Sequence, residues 1–154
     1  MDKKILITGT GIISAMGRNT REVSMNLYKG KCGLHHDEWR VCYNSDLCGN
    51  VYSYEKNYKD VLTHAQYECM PLHGFYVLEA VFEALKKAKV SKDFLESHNV
   101  SLIVSNDSEC YESQTVVNHV DERYDNRNLP VNTMFRSLNS TISMNLATIL
   151  GIHG

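Results

Sequence analysis

Residues 2–12, DKKILITGTGI, hold a short apolar run, Ile5-Leu6-Ile7, that breaks at Gly9. A brief run rich in β-branched residues and closed by a glycine turn predicts a strand buried on both faces. Gly9-Thr10-Gly11 then raises the question of a phosphate cradle. A dinucleotide fingerprint needs a third glycine where Ser14 stands, and a helix that starts at once so that its amides face the pyrophosphate. The next helix signal comes only near Thr20, so the glycine pair reads as a turn of the backbone.

Beyond Gly17, Asn19 or Thr20 can cap a helix with Glu22 in its first turn, Val23 and Leu27 on one face and Gly30 as its stop. From Lys31 to about Lys59 periodicity is lost, and the stretch around Trp39 reads as a long loop with short strands. Leu72, Phe75, Leu78, Val81, Phe82 and Leu85 recur at three- and four-residue intervals and mark an amphipathic helix, with Lys86, Lys87 and Lys89 suited to its C-terminal end. NVSLIVS (Asn99 to Ser105) predicts a second buried strand. A helix separates it from the first, so parallel pairing is expected and the class is α/β. Residues 107–130 are polar, with a short helix expected from Glu112 to Val120 and Pro130 closing the segment. NSTISMNLATIL (Asn139 to Leu150) places Ile142, Leu146, Ile149 and Leu150 on a helical stripe, capped by Asn139 or Ser140 and stopped by Gly151.

At 154 residues, length argues for one domain rather than two, and 43% hydrophobic with 22% charged residues is the balance of a folding chain rather than a disordered one. The formal net charge of −2, with no basic stripe, argues against a nucleic-acid partner. Five scattered cysteines (Cys32, Cys42, Cys48, Cys69, Cys110) contain no CxxC pair and suit a reducing compartment. Lys3-Lys4 followed by ILITGTGIISAM mimics a secretion signal, but its glycines and threonines weaken the apolar core, and no run reaches membrane-span length. The expected location is the cytoplasm, with no membrane association.

Few constellations carry chemistry. Cys32, His35, His36, Asp37 and Glu38 are dense enough to suggest zinc, with Cys42 and Cys48 downstream, yet their spacing fits no standard module. Solvated loop side chains are the expected reading, and neither a metal nor an organic cofactor is expected. Cys110 follows Glu109, a neighbour that disfavours the thiolate. A G-x-S-x-G elbow is absent, and the histidines are scattered. Tyr52, Tyr54 and Tyr58 lack the basic interleaving of a base-stacking surface and are expected to pack as a half-buried loop against the core.

Taken in order, KILITGTGIISAMGRNTREVSMNLYKGKCGL resembles the opening of the β-ketoacyl-acyl-carrier-protein synthases, the condensing enzymes of fatty-acid and polyketide synthesis. The likeness continues through ECMPLHGFYVLEAVFEALKKAKV and STISMNLATILGIHG, so it spans residues 1–154, read as one partial N-terminal domain. The resemblance implies a thiolase-like fold with helices layered on a mixed, partly parallel sheet, and a first Gly-x-Gly that serves as a strand exit. It implies that the nucleophilic cysteine and the two catalytic histidines lie beyond Gly154, so no catalytic residue is assigned and the chain alone is expected to be inactive. It places Ser108, Thr133 and Met134 at acyl-pocket positions. Polar groups at Ser108 and Thr133 would disfavour a long alkyl tail unless paired. It also implies acyl carrier protein and an acyl thioester as partners of the full-length protein, with self-association or a dimer. A non-catalytic partner subunit of the chain-length-factor type is the alternative, motivated by SNDSECYES at the family's glycine-rich loop. A small zinc-binding α/β protein is the third reading.

Overall fold

The computed structural model describes residues 4–37, 46–49, 51, 58, 60–106, 113–114, 116–118, 120 and 132–153. They form α1 (Thr20–Tyr28), β1 (Leu34–His36), β2 (Leu47–Gly49), α2 (His64–Cys69), α3 (Leu72–Ala88), α4 (Lys92–Ser97), α5 (Thr133–Ser137) and α6 (Ser140–Leu150). Residues 113–114, 116–118 and 120 are also helical, within the short helix expected there. The residues group into two compact units, Met1–Glu55 with Tyr76–Val90, and Lys56–Phe75 with Ser91–Gly154. Residues 72–75 of α3 fall in the second unit and residues 76–88 in the first.

In the first unit, α1 starts where its cap dictates. Asn19 is extended at φ −161°, and its side chain accepts the Glu22 N–H at 2.9 Å, satisfying one of the orphan donors of the first turn. Val23 is buried, whereas Leu27, expected on the same face, is 60% exposed. Before the helix, Ser14 and Gly17 exchange backbone hydrogen bonds at 3.0 and 3.1 Å and close a tight turn. The Gly9–Gly11 pair has a packing role. A Cβ on Gly9 would collide with the Ala84 carbonyl oxygen, and one on Gly11 with the backbone of Ala80, so only glycines let this segment lie directly on α3.

β1 and β2 pair antiparallel in the register Leu34↔Gly49, His35↔Cys48 and His36↔Leu47. They supply the short strands expected in the long loop. Two other strand expectations fail. Ile5, Leu6 and Ile7 are 96%, 75% and 88% exposed and belong to no strand, and Ile103 in the NVSLIVS stretch is 91% exposed in a segment that is likewise unpaired. A strand buried on both faces needs a ladder neighbour at each edge and cover on each face, and among the described residues neither run has them. The α/β class holds in its coarse sense, as helices with a small sheet, but the expected parallel pair does not form among these residues.

The amphipathic stripe of α3 forms as expected, with Leu78 fully buried and Lys86 and Lys87 in the last turn, although Leu72 at its start is 58% exposed. The helix ends with Lys89 in the left-handed conformation (φ 55°), and the Val90 N–H returns to the Leu85 carbonyl at 3.1 Å.

The second unit has its core at Leu62, Met70, Pro71, Leu95, Ile142, Leu146 and Leu150, all buried. Tyr58 is 5% exposed and packs its ring on Phe75 at 5.0 Å, and Tyr67 meets the same ring at 5.3 Å. Tyr58 is therefore core rather than half-buried, while Tyr52 and Tyr54 lie outside the described residues. α2 begins with a capping box, in which the Gln66 N–H donates to Thr63 Oγ1 at 3.3 Å and the Thr63 N–H donates to Gln66 Oε1 at 2.9 Å. Ser91 caps α4 through the Phe94 N–H at 3.2 Å. α6 buries Ile142, Leu146 and Leu150, with Ile149 half-buried, and stops at Gly151 in the left-handed region (φ 69°). Asn139 holds its N-cap position but makes no side-chain cap hydrogen bond.

Candidate functional site

The positions read from the sequence as acyl-pocket residues are divided. Thr133 and Met134 open α5, Thr133 half-buried and Met134 73% exposed. α5 is held to α2 by Arg136, whose Nε donates to the Glu68 carbonyl at 2.7 Å, and by the Cys69 thiol, which reaches Asn132 Oδ1 at 3.8 Å. Thr141 caps the end of the same element by donating its hydroxyl to the Phe135 carbonyl. Ser108 lies outside the described residues.

Of the five thiols, Cys32 is exposed, Cys48 and Cys69 are half-buried, and all three are free. Cys42 and Cys110 lie outside the described residues, as does Glu38. The hairpin brings His35 into register with Cys48, while His36 Nδ1 sits 2.9 Å from Asp46 Oδ1. The hydrogen bond from His36 holds the Asp46 carboxyl below its usual range. Among the described residues no group of three His, Cys, Asp or Glu side chains could hold a metal ion.

The first unit carries a cavity of about 370 Å³ lined by residues 15–18 together with Glu22, Asn26, Lys31 and Cys32. Its wall follows from the ends of α1. Glu22 and Asn26 are four apart and share a helix face. Both are committed to shaping the turn, because Glu22 Oε2 accepts the Arg18 N–H at 2.8 Å and Asn26 Nδ2 donates to the Met16 carbonyl at 2.6 Å. Arg18 precedes the helix and Lys31 follows it, so residues from both flanks of α1 line the cavity. Sequence reading assigned neither of them to a site.

The family model described as beta-ketoacyl synthase, N-terminal domain, matches residues 2–154. The chain belongs to this family. Two curated members, both 3-oxoacyl-[acyl-carrier-protein] synthase 1 of Buchnera aphidicola, are similar over 99% of this chain. The protein from subsp. Acyrthosiphon pisum (strain APS) is 24% identical over 157 residues, and that from subsp. Baizongia pistaciae (strain Bp) is 27% identical over 156. The chain spans 38% of the length of each. Among solved structures, the ishigamide ketosynthase/chain length factor superposes on 96% of this chain and 37% of its own, with a TM-score of 0.77 at 19% identity, which establishes a shared fold. The family resemblance read from the sequence is therefore correct. Among the described residues, no helix is long and apolar enough to cross a membrane.

Proposed function

We propose that this chain is the N-terminal portion of a 3-oxoacyl-acyl-carrier-protein synthase-like condensing enzyme of fatty-acid or polyketide synthesis, a scaffold that acts only when joined to the part bearing the nucleophile. The observation that carries this reading is coverage, since the chain aligns along 99% of itself with synthases of which it spans 38%. The bare Ile5-Leu6-Ile7 and Ile103 segments support it, because strand-forming runs left uncovered are what a partial sheet would present.

Condensation needs a thiolate to take up the acyl group, and donors that stabilise the enolate and oxyanion formed when the malonyl donor loses carbon dioxide. In the family a cysteine and two histidines supply these, at positions beyond residue 154, so the chain by itself acts as framework. Ser108, Thr133 and Met134 line the acyl pocket of the joined protein, whose partners are acyl carrier protein and an acyl thioester, in the cytoplasm and as a dimer. The chain folds as one partial N-terminal domain of that protein.

A condensation assay with radiolabelled acyl- and malonyl-acyl-carrier protein tests this reading. The purified chain yields no 3-oxoacyl product, and turnover by it would place the nucleophile among its own five thiols. The likeness to a ketosynthase/chain length factor supports a second reading, a partner subunit that keeps the fold without the nucleophile. The coding sequence downstream decides between the two, with a cysteine at the family's nucleophile position marking the enzyme and any other residue the partner.

A further inference from the structure

We propose that Arg136 is a positioning residue for the acyl chain: by tying α5 to the end of α2 it fixes the wall that carries Thr133 and Met134, and so governs which chain lengths are accepted. This inference rests on the condensing role proposed above and adds a determinant of its specificity.

α5 cannot hold its own place. It has five residues, none of them buried, and Asn132 at its N-cap makes no side-chain cap hydrogen bond. A helix so short has no stability of its own in water and depends on tertiary contacts. Apolar burial supplies little of that support, because Met134 is 73% exposed and Phe135 51%. Polar ties supply it instead. Arg136, the only charged residue of α5, donates from Nε to the Glu68 carbonyl at 2.7 Å, and a terminal nitrogen of the same guanidinium lies 3.8 Å from the Glu68 carboxylate. The Glu68 carbonyl belongs to the last turn of α2, where carbonyls have no partner within the helix and a cation suits the negative end. The second tie to α2 is weaker, a thiol of Cys69 that reaches Asn132 Oδ1 only at 3.8 Å. Thr133 and Met134 stand three and two residues before Arg136, so a displacement of this short helix carries them with it. Discrimination by chain length is sensitive to such a movement, since one methylene in an apolar pocket is worth about tenfold or more.

The test has two arms. In the chain itself, amide hydrogen exchange compares Arg136→Ala with the parent. The Leu138 N–H, bonded to the Phe135 carbonyl at 3.2 Å, should exchange about tenfold faster, while the N–H of the fully buried Leu146 keeps its protection. In the condensing protein of which the chain is proposed to be part, kcat/KM is measured for a series of saturated acyl primers of increasing length on acyl carrier protein. The ratio between the best and the worst primer should fall about tenfold in R136A and be largely kept in R136K, whose ammonium still donates to the carbonyl. Unfolded enzyme would lower every rate alike and leave the ratio untouched. An unchanged Leu138 exchange rate, a ratio unchanged in R136A, or one lost equally in R136K overturns the proposal and leaves the condensing role standing. If the parent protein condenses none of the primers, that role falls and the proposal with it.

Discussion

The Glu83 carboxylate accepts the backbone N–H of Thr20 at 2.9 Å across sixty-three residues of sequence. It also takes the Ile12 N–H at 3.1 Å and the Lys87 ammonium at 2.7 Å, so one side chain on α3 fixes both the glycine-rich segment and the start of α1. With only 19% of this side chain exposed, water is a poor substitute acceptor. Glu83→Ala should lower stability by about 2–3 kcal/mol, and Glu83→Gln, which keeps an acceptor, by about 1 kcal/mol. Urea midpoints measure both, and an E83A midpoint equal to the parent's would show that the tether is ornamental.

The same carboxyl gives the fold a pH dependence of known sign. Burial pushes its pKa up, but the hydrogen bonds from Lys87 and from the Thr20 and Ile12 amides outweigh that and lower it from 4.5 to about 2. A group with a depressed folded-state pKa contributes stability that is complete above its unfolded value and lost as pH falls through the folded one. The stability gap between parent and E83Q should therefore be constant above pH 4.5 and narrow progressively toward pH 2. A gap that stays level across that window would mean the carboxylate is not held in its charged form.

Among the described residues three helix ends use the left-handed conformation, two with a glycine, one of them Gly30 (φ 65°) after α1, and one without. Gly151 stops α6 at φ 69°, while Lys89 stops α3 at φ 55°. A side chain in this region costs roughly 1 kcal/mol that glycine avoids, offset in part by the greater freedom of glycine in the unfolded chain. Gly151→Ala should destabilise by about 1 kcal/mol, and Lys89→Gly should stabilise by about 0.5 kcal/mol. Thermal melts of the two variants should move in opposite directions, and a K89G variant that melts below its parent contradicts the account.

What was legible in the sequence was what is decided locally. Asn19 with Glu22, the stripe from Phe75 to Leu85, and Ile142, Leu146 and Gly151 are each settled within a few residues, and α1, α3 and α6 appear where those signals put them. The strand readings failed because Ile5-Leu6-Ile7 and NVSLIVS need partners distant in the chain, and composition alone does not supply a ladder. α2, α4 and α5 are five or six residues long, too short for periodicity. Only caps could announce them, as Thr63 with Gln66 and Ser91 with Phe94 do. The cavity beside α1 was hidden for a related reason. Arg18 and Lys31 become neighbours of one space only after the helix between them has formed, and nothing in their spacing signals it.

The bare N-terminal segment leads to the last expectation. Ile5, Leu6 and Ile7 are all exposed, so both faces of an extended run stay open, and no ladder bond engages it among the described residues. Such a run is a template for pairing with another chain. The isolated protein should therefore self-associate as concentration rises, seen as a growing sedimentation coefficient. Ile5→Lys with Ile7→Lys places charges on that template, the device by which natural edge strands resist pairing. The double variant should sediment more nearly as a monomer while its melting point stays close to the parent's, because these side chains bury little within the chain. Association that persists undiminished in the variant would move the sticky surface elsewhere, and a large fall in melting point would show that the segment is packed rather than open.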